Sequence, residues 1–151
     1  MPRLEIIAQT SVPKGLRPIL RAVMTKLMRL HDISSEVCVI LADDAKLRAL
    51  KLEFWGEDAS TDVLSFPQWE PGDPFVPELL GDIVISLPTA QVQALARGHS
   101  LEAEVVVLAA HGLTHLLGFD HQNENDWEVF HESERQAIAA LKEFRSRELK
   151  S

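Results

Sequence analysis

Three histidines fall within one short stretch of this chain, His111, His115 and His121 of HGLTHLLGFDH, and together they could hold a metal ion. His111 and His115 are four residues apart, so on a helix both imidazoles leave the same face one turn apart. Gly118 can take the left-handed backbone that ends a helix, which would turn the chain so that His121 comes back toward the pair. Three protein ligands with a fourth position left open is the arrangement of catalytic zinc, whereas structural zinc is usually closed by four. A lone histidine on an apolar helix is more often a satisfied core residue. Histidine is only 6 of 151 residues, however, so two more at fixed offsets from a given one arise by chance about 0.0016 of the time. One Zn2+ per chain is therefore expected, with His111 counted among the catalytic groups. Asp120 either orients a ligand imidazole through its carboxylate or satisfies amides of the turn.

The spacing H-x-x-x-H-x-x-G-x-x-H is also that of the metzincin peptidases, whose helix carries Glu directly after the first His as general base. Here that position is Gly112. Without the carboxylate, water attack on a peptide bond loses its proton acceptor, a loss of about 10²–10⁴ in rate. A zinc metallopeptidase-like hydrolase is thus the second reading.

The elements that must position these residues follow from periodicity. LEIIA (Leu4 to Ala8), EVCVIL (Glu36 to Leu41), VLSF (Val63 to Phe66) and DIVIS (Asp82 to Ser86) read as strands. Leu16, Ile19, Leu20, Val23, Leu27 and Leu30 mark a first helix. Asp43 caps a second that Gly56 ends, and a third runs from Pro88 to about Arg97, closed by Gly98. Ser100 caps LEAEVVVLAAHGLTHLLG, apolar nearly all round and hence central and buried. An amphipathic helix beginning near Asn125 or Asp126 closes the chain. The segment PQWEPGDPFVPE, with four prolines, reads as a surface loop.

Length and composition bound the rest. A chain of 151 residues, 46% apolar and 25% charged, fits one domain over residues 1–151. No stretch approaches the roughly eighteen apolar residues of a membrane span, and no basic and apolar leader opens the sequence, so a cytoplasmic protein is expected. Cys38 is the only cysteine, which excludes an internal disulfide and a thiolate cluster. The net charge of −8 counts against a protein that coats nucleic acid, though not against a local basic track.

TDVLSFP (Thr61 to Pro67), LGDIVIS (Leu80 to Ser86), GHS (Gly98 to Ser100) with Glu104, and the whole of HGLTHLLGFDH stand in the order found in the YbeY family of bacterial endoribonucleases, which this chain resembles over most of its length. Members act in maturation of small-subunit ribosomal RNA and in ribosome quality control. The resemblance implies an α+β fold, a small mixed sheet of about four strands packed with about five helices around a central buried helix that carries the metal-ligand histidines. It implies zinc on His111, His115 and His121, single-stranded RNA as substrate, maturation of the 16S 3′ end as the task, and the small ribosomal subunit with its assembly factors as partners, without DNA or membrane. In such a nuclease the metal lowers the pKa of a bound water or polarises a phosphoryl oxygen. A third reading is a non-catalytic ribosome-assembly factor with a structural metal.

One position departs from the family, which commonly has an aromatic residue, then Arg, then Gly where this chain has Phe54, Trp55 and Gly56. An arginine beside a metal stabilises charge developing on a phosphate. Trp55 in its place either stacks a base or packs in the core. Arg48 and Lys51, two turns and one turn earlier on the same predicted helix, are candidates to replace the charge. Lys14, Arg17, Arg21, Lys26 and Arg29 crowd the first predicted helix, as a solvated face or as a backbone track for single-stranded RNA in which Arg17 and Arg21 lie one turn apart. His99 and His131 read as surface residues with no tie to the triad, and His31 as a helix-end residue without chemistry.

Overall fold

The computed structural model describes residues 2–70, 72–120 and 122–150. In chain order these form β1 (Arg3–Ala8), α1 (Leu16–Leu30), β2 (Glu36–Ala42), α2 (Asp44–Trp55), β3 (Val63–Pro67), β4 (Leu79–Ser86), α3 (Leu87–Arg97), α4 (Leu101–Leu116), a 3-10 turn (Glu124–Asp126) and α5 (Trp127–Lys150). One mixed sheet has the order β1-β2-β4-β3. β1, β2 and β4 run parallel, and β3 pairs antiparallel with β4. Parallel neighbours cannot be joined by a tight turn. Hence α1 carries the chain from β1 to β2, while α2 and β3 lie between β2 and β4.

The core divides by sheet face because strand side chains alternate. Val37, Val39, Leu41, Ile83 and Ile85 meet the apolar stripes of α1, α4 and α5 in the larger cluster. Ala42, Leu64 and Val84 meet Leu47 of α2 in a smaller one on the other side. Leu16, Leu20, Val23, Met24, Leu27 and Met28, at helical spacing on α1, are all fully buried. α4 packs against β3 and β4 and against α1, α3 and α5, so twelve of its sixteen residues are buried and little of its surface reaches water.

Two glycines set how closely α4 approaches the sheet. A Cβ on Gly112 would stand 2.6 Å from Ile83 Cγ2 and 3.2 Å from Ser65 Oγ. A Cβ on Gly81 would stand 2.5 Å from the Phe66 carbonyl oxygen and 2.6 Å from Leu116 Cδ2. Helix and sheet therefore touch backbone to side chain at both points, a distance that any larger residue would force open.

β4 begins at Leu79, three residues before the predicted strand, because Gly81 interrupts the apolar run that sequence reading follows; its backbone pairs with Val37 and Pro67, just past a shift in register between Glu36 and Val37 that leaves Leu80 without a partner on β2. The segment before it is less free than its prolines suggest. Trp69 is partly buried and donates its indole N–H to the Leu116 carbonyl at 2.7 Å, tying the loop to the end of α4. On the sheet, Cys38 stands opposite Asp82. Burial, with the Asp82 charge beside it, pushes the Cys38 thiol up to about 11, which leaves almost no thiolate at neutral pH.

Candidate functional site

The side chains of His111 and His115 leave α4 half-buried and converge, with their Nε2 atoms 3.1 Å apart and ring centroids 4.8 Å apart at 72°. Two imidazole nitrogens that close need either a proton or a cation between them. A tetrahedral zinc with Zn–N bonds of about 2.05 Å holds two nitrogens about 3.3 Å apart, so the pair is spaced to share such an ion. The third predicted ligand, His121, lies outside the described residues. Among the described residues no group of three His, Cys, Asp or Glu side chains is poised to hold a metal.

Both ends of α4 are fixed by local chemistry. Ser100 Oγ accepts from the Ala103 amide at 3.1 Å and caps the start. At the other end Gly118 has φ of 99°, its amide donates to the His115 carbonyl, and the Phe119 amide donates to the Thr114 carbonyl. That is the paired bonding of a Schellman motif. With Leu117 N–H on the Leu113 carbonyl and Trp69 on that of Leu116, all four terminal carbonyls are answered. In the turn that follows, Gly118, Phe119, Asp120 and Gln122 line the same cleft as the pair. Within it, the Asp120 carboxylate accepts from the Gln122 amide at 3.0 Å, which is the turn-amide contact, one of the two roles open to it from the sequence.

Sequence reading missed what holds the histidine rings. Phe130 of α5 is 4% exposed, and its ring centroid lies 4.9 Å from that of His111 and 4.9 Å from that of His115. The apolar spacing of α5 marked it as core, but a ring contact between two helices has no signature in either helix alone. The other miss was legible. His99 Nε2 lies 2.5 Å from Glu104 Oε1, and Glu104 is fully buried, with Arg97 3.3 Å from its other oxygen. His99 precedes the cap and Glu104 is the fourth residue after it, the two positions that a hydrophobic staple brings together; here the staple is polar.

The histidine pair opens into a cleft of about 710 Å³ whose walls include Ser65 of β3, the Asp62 turn, Lys51 and Trp55. Trp55 is 48% exposed and Phe54 59%, so neither packs in the core. Both set an edge against Phe66, at centroid distances of 5.5 and 5.1 Å, which leaves ring surface to solvent at the cleft mouth. Of the predicted charge replacements, Lys51 lines the cleft and pairs with Glu57 at 3.3 Å. Arg48 makes a two-pronged contact with Asp58, at 2.6 and 3.1 Å, outside the lining. Arg17 is exposed on α1, and Arg21 borders a different groove, between α1 and α5.

Removing the indole tests whether this mouth holds a base. Trp55→Ala is expected to weaken RNA binding by about 1–3 kcal/mol, measured by fluorescence anisotropy, with a smaller loss of thermal stability. Unchanged affinity in a folded variant would remove Trp55 from the interface.

Over residues 4–142 the chain matches the family described as Endoribonuclease YbeY. It is 57% identical over 137 residues to a protein of that name from Thermus thermophilus, across 90% of this chain and 99% of the relative. It is 54% identical over 142 residues to one from Deinococcus radiodurans, across 86% and 92%. The solution structure of TM1509 from Thermotoga maritima shares the fold, with a TM-score of 0.63 at 24% identity, covering 100% of this chain and 96% of that one.

Proposed function

The chain belongs to the Endoribonuclease YbeY family, and on that premise we propose that it is a zinc-dependent endoribonuclease that cuts single-stranded RNA, with His111, His115 and His121 as the ligands. The observation that carries this reading is the convergence of the two Nε2 atoms, 3.1 Å apart, at the head of an open cleft. Bound there, the metal would supply Lewis acidity for phosphodiester cleavage. The residues of the chain do the rest. Phe130 packs its ring 4.9 Å from each imidazole and so holds the two planes in place. Lys51 supplies positive charge on the cleft wall for the phosphate, although it shares that charge with Glu57. Trp55 offers a face to a neighbouring base. A phosphate within a duplex brings its paired strand with it, so a cleft walled by α2, β3 and α4 favours unpaired RNA.

The cellular task that fits is maturation of the 16S 3′ end and ribosome quality control in the cytoplasm, on the small ribosomal subunit and beside its assembly factors. Among the described residues, no helix is long and apolar enough to cross a membrane.

The test is incubation of purified protein with one RNA sequence in single- and double-stranded form, with chelator and with zinc restored. Cleavage of the single strand should vanish with chelator and return with zinc. Equal cutting of paired RNA, or activity that survives complete metal removal, would sink the proposal.

A further inference from the structure

The longest stretch without a carboxylate in the first half of the chain is 6–31, where the acidic content of 23 in 151 residues would place about four. The same stretch holds Lys14, Arg17, Arg21, Lys26 and Arg29. Folded, Arg21, Lys26 and Arg29 of α1 line a groove of about 450 Å³ together with Arg147 of α5, over a floor that includes Ala140 and Phe144. Glu143 is the acidic residue in that lining, and it lies 2.5 Å from Arg147 and 3.9 Å from Lys26. Arg17, Arg21 and Arg29 have no ion-pair partner among the described residues. Arg21 instead donates to the Leu4 carbonyl at 3.0 Å, which fixes its guanidinium beside the groove.

We infer that this groove is a second RNA contact, which grips the backbone of the strand at a distance from the cut; the inference rests on the endoribonuclease reading above. Arg21, Lys26 and Arg29 span eight residues of α1, about 12 Å of helix, enough for a run of successive backbone phosphates to lie along the groove, and exposed Arg17 stands one turn before Arg21. Phe144, half-buried in the floor, gives a base a ring to rest on. The position is remote from the histidines. The α5 wall, residues 140–147, lies about 15–25 Å along the helix axis from Phe130, whose ring packs on the histidine pair. A short strand in the cleft does not reach it, whereas a longer one does. On a chain of net charge −8 such an excess of cations is local, and it holds a polyanion where the surrounding surface repels one.

The experiment uses zinc-loaded protein, an unstructured RNA of about 20 nucleotides and one of about 4, with binding measured at several salt concentrations. In the double variant Lys26→Glu, Arg29→Glu, affinity for the long RNA should fall about tenfold or more at low salt. In the milder Lys26→Ala, Arg29→Ala, the salt slope should decrease by about 1.4, two contacts at 0.7 each. Cleavage of the short RNA should stay within about twofold in both, and a thermal melt reports folding. Unchanged affinity for the long RNA in folded variants overturns the inference, as does an equal loss on both lengths. So does loss of binding to anionic vesicles or polyglutamate with RNA binding intact. If wild-type protein binds the long RNA with the expected salt slope, and the variants lose it, but neither RNA is cut, the groove stands and the endoribonuclease reading fails.

Discussion

Replacing His115 by alanine is expected to strip the protein of zinc and of RNA cleavage together, with the rate falling by about 10³ or more, since a metal held there would supply the main electrostatic stabilisation of a reacting phosphate. The imidazole is half-buried and its loss opens no large cavity, so the fold should survive. Its stability should nonetheless drop, because an ion bound only by the folded state adds RT ln(1 + [L]/Kd), about 4 kcal/mol at a thousandfold excess over Kd. The loss should disappear when wild type and variant are compared in chelator, where neither holds metal. Elemental analysis, single-turnover cleavage and paired melts check the three parts. A His115→Ala protein with undiminished zinc would take His115 out of the ligand set.

Gly112→Ala is expected to destabilise the protein although alanine is the better helix former. The helix gains about 1 kcal/mol. Against this, the new Cβ meets Ile83 Cγ2 at 2.6 Å, a branched methyl in the core that cannot swing aside, and Ser65 Oγ at 3.2 Å. Overpacking of that kind costs about 1–3 kcal/mol, and more where the backbone cannot shift. Because Ile83 is fully buried and cannot give way, the cost should fall at the upper end of that range, for a net loss of about 2 kcal/mol, or roughly 4–8 °C in Tm. Cleavage should fall as well, because α4 carries both histidines away from the sheet when it moves. Adding Ile83→Ala should make room, so the double variant should be more stable than the two separate losses imply, by about 1 kcal/mol. An unchanged Tm in Gly112→Ala would mean that α4 is not held as closely as described. The same contact bears on the peptidase reading: Gly112→Glu would drive its carboxylate into the sheet rather than toward the histidines, so it should yield no peptidase.

The strands and helices were legible where apolar period and capping residues agree. Asp43 accepts from the Lys46 amide at 3.0 Å, Ser100 caps α4, and Gly56, Gly98 and Gly118 all have positive φ. Sequence reading failed where a residue was chosen by a neighbour distant in the chain. Gly81 looks like an interruption of β4 and is in fact demanded by Phe66 and Leu116 across the fold. Phe130 looks like one more core position and stands against two histidine rings. Trp55 shows the same limit, since exposure and the choice between core and cleft are properties of the assembled surface. His111 and His115 were legible because their spacing is local to one helix, and because few other arrangements bring two half-buried imidazoles together.

The indole of Trp69, bonded to the last carbonyl of α4, divides the proline-rich loop into parts with different evolutionary freedom. From Trp69 back to β3 the chain has a fixed length to span, because the ring must reach Leu116. Ser35, which donates to the Pro77 carbonyl, fixes the far end in the same way. Between them Phe75 and Val76 are 82% and 78% exposed, and this is where residues can be gained or lost without moving the histidine helix. A lineage can therefore refashion the tip of this loop for new neighbours while the chemistry beside it stays still.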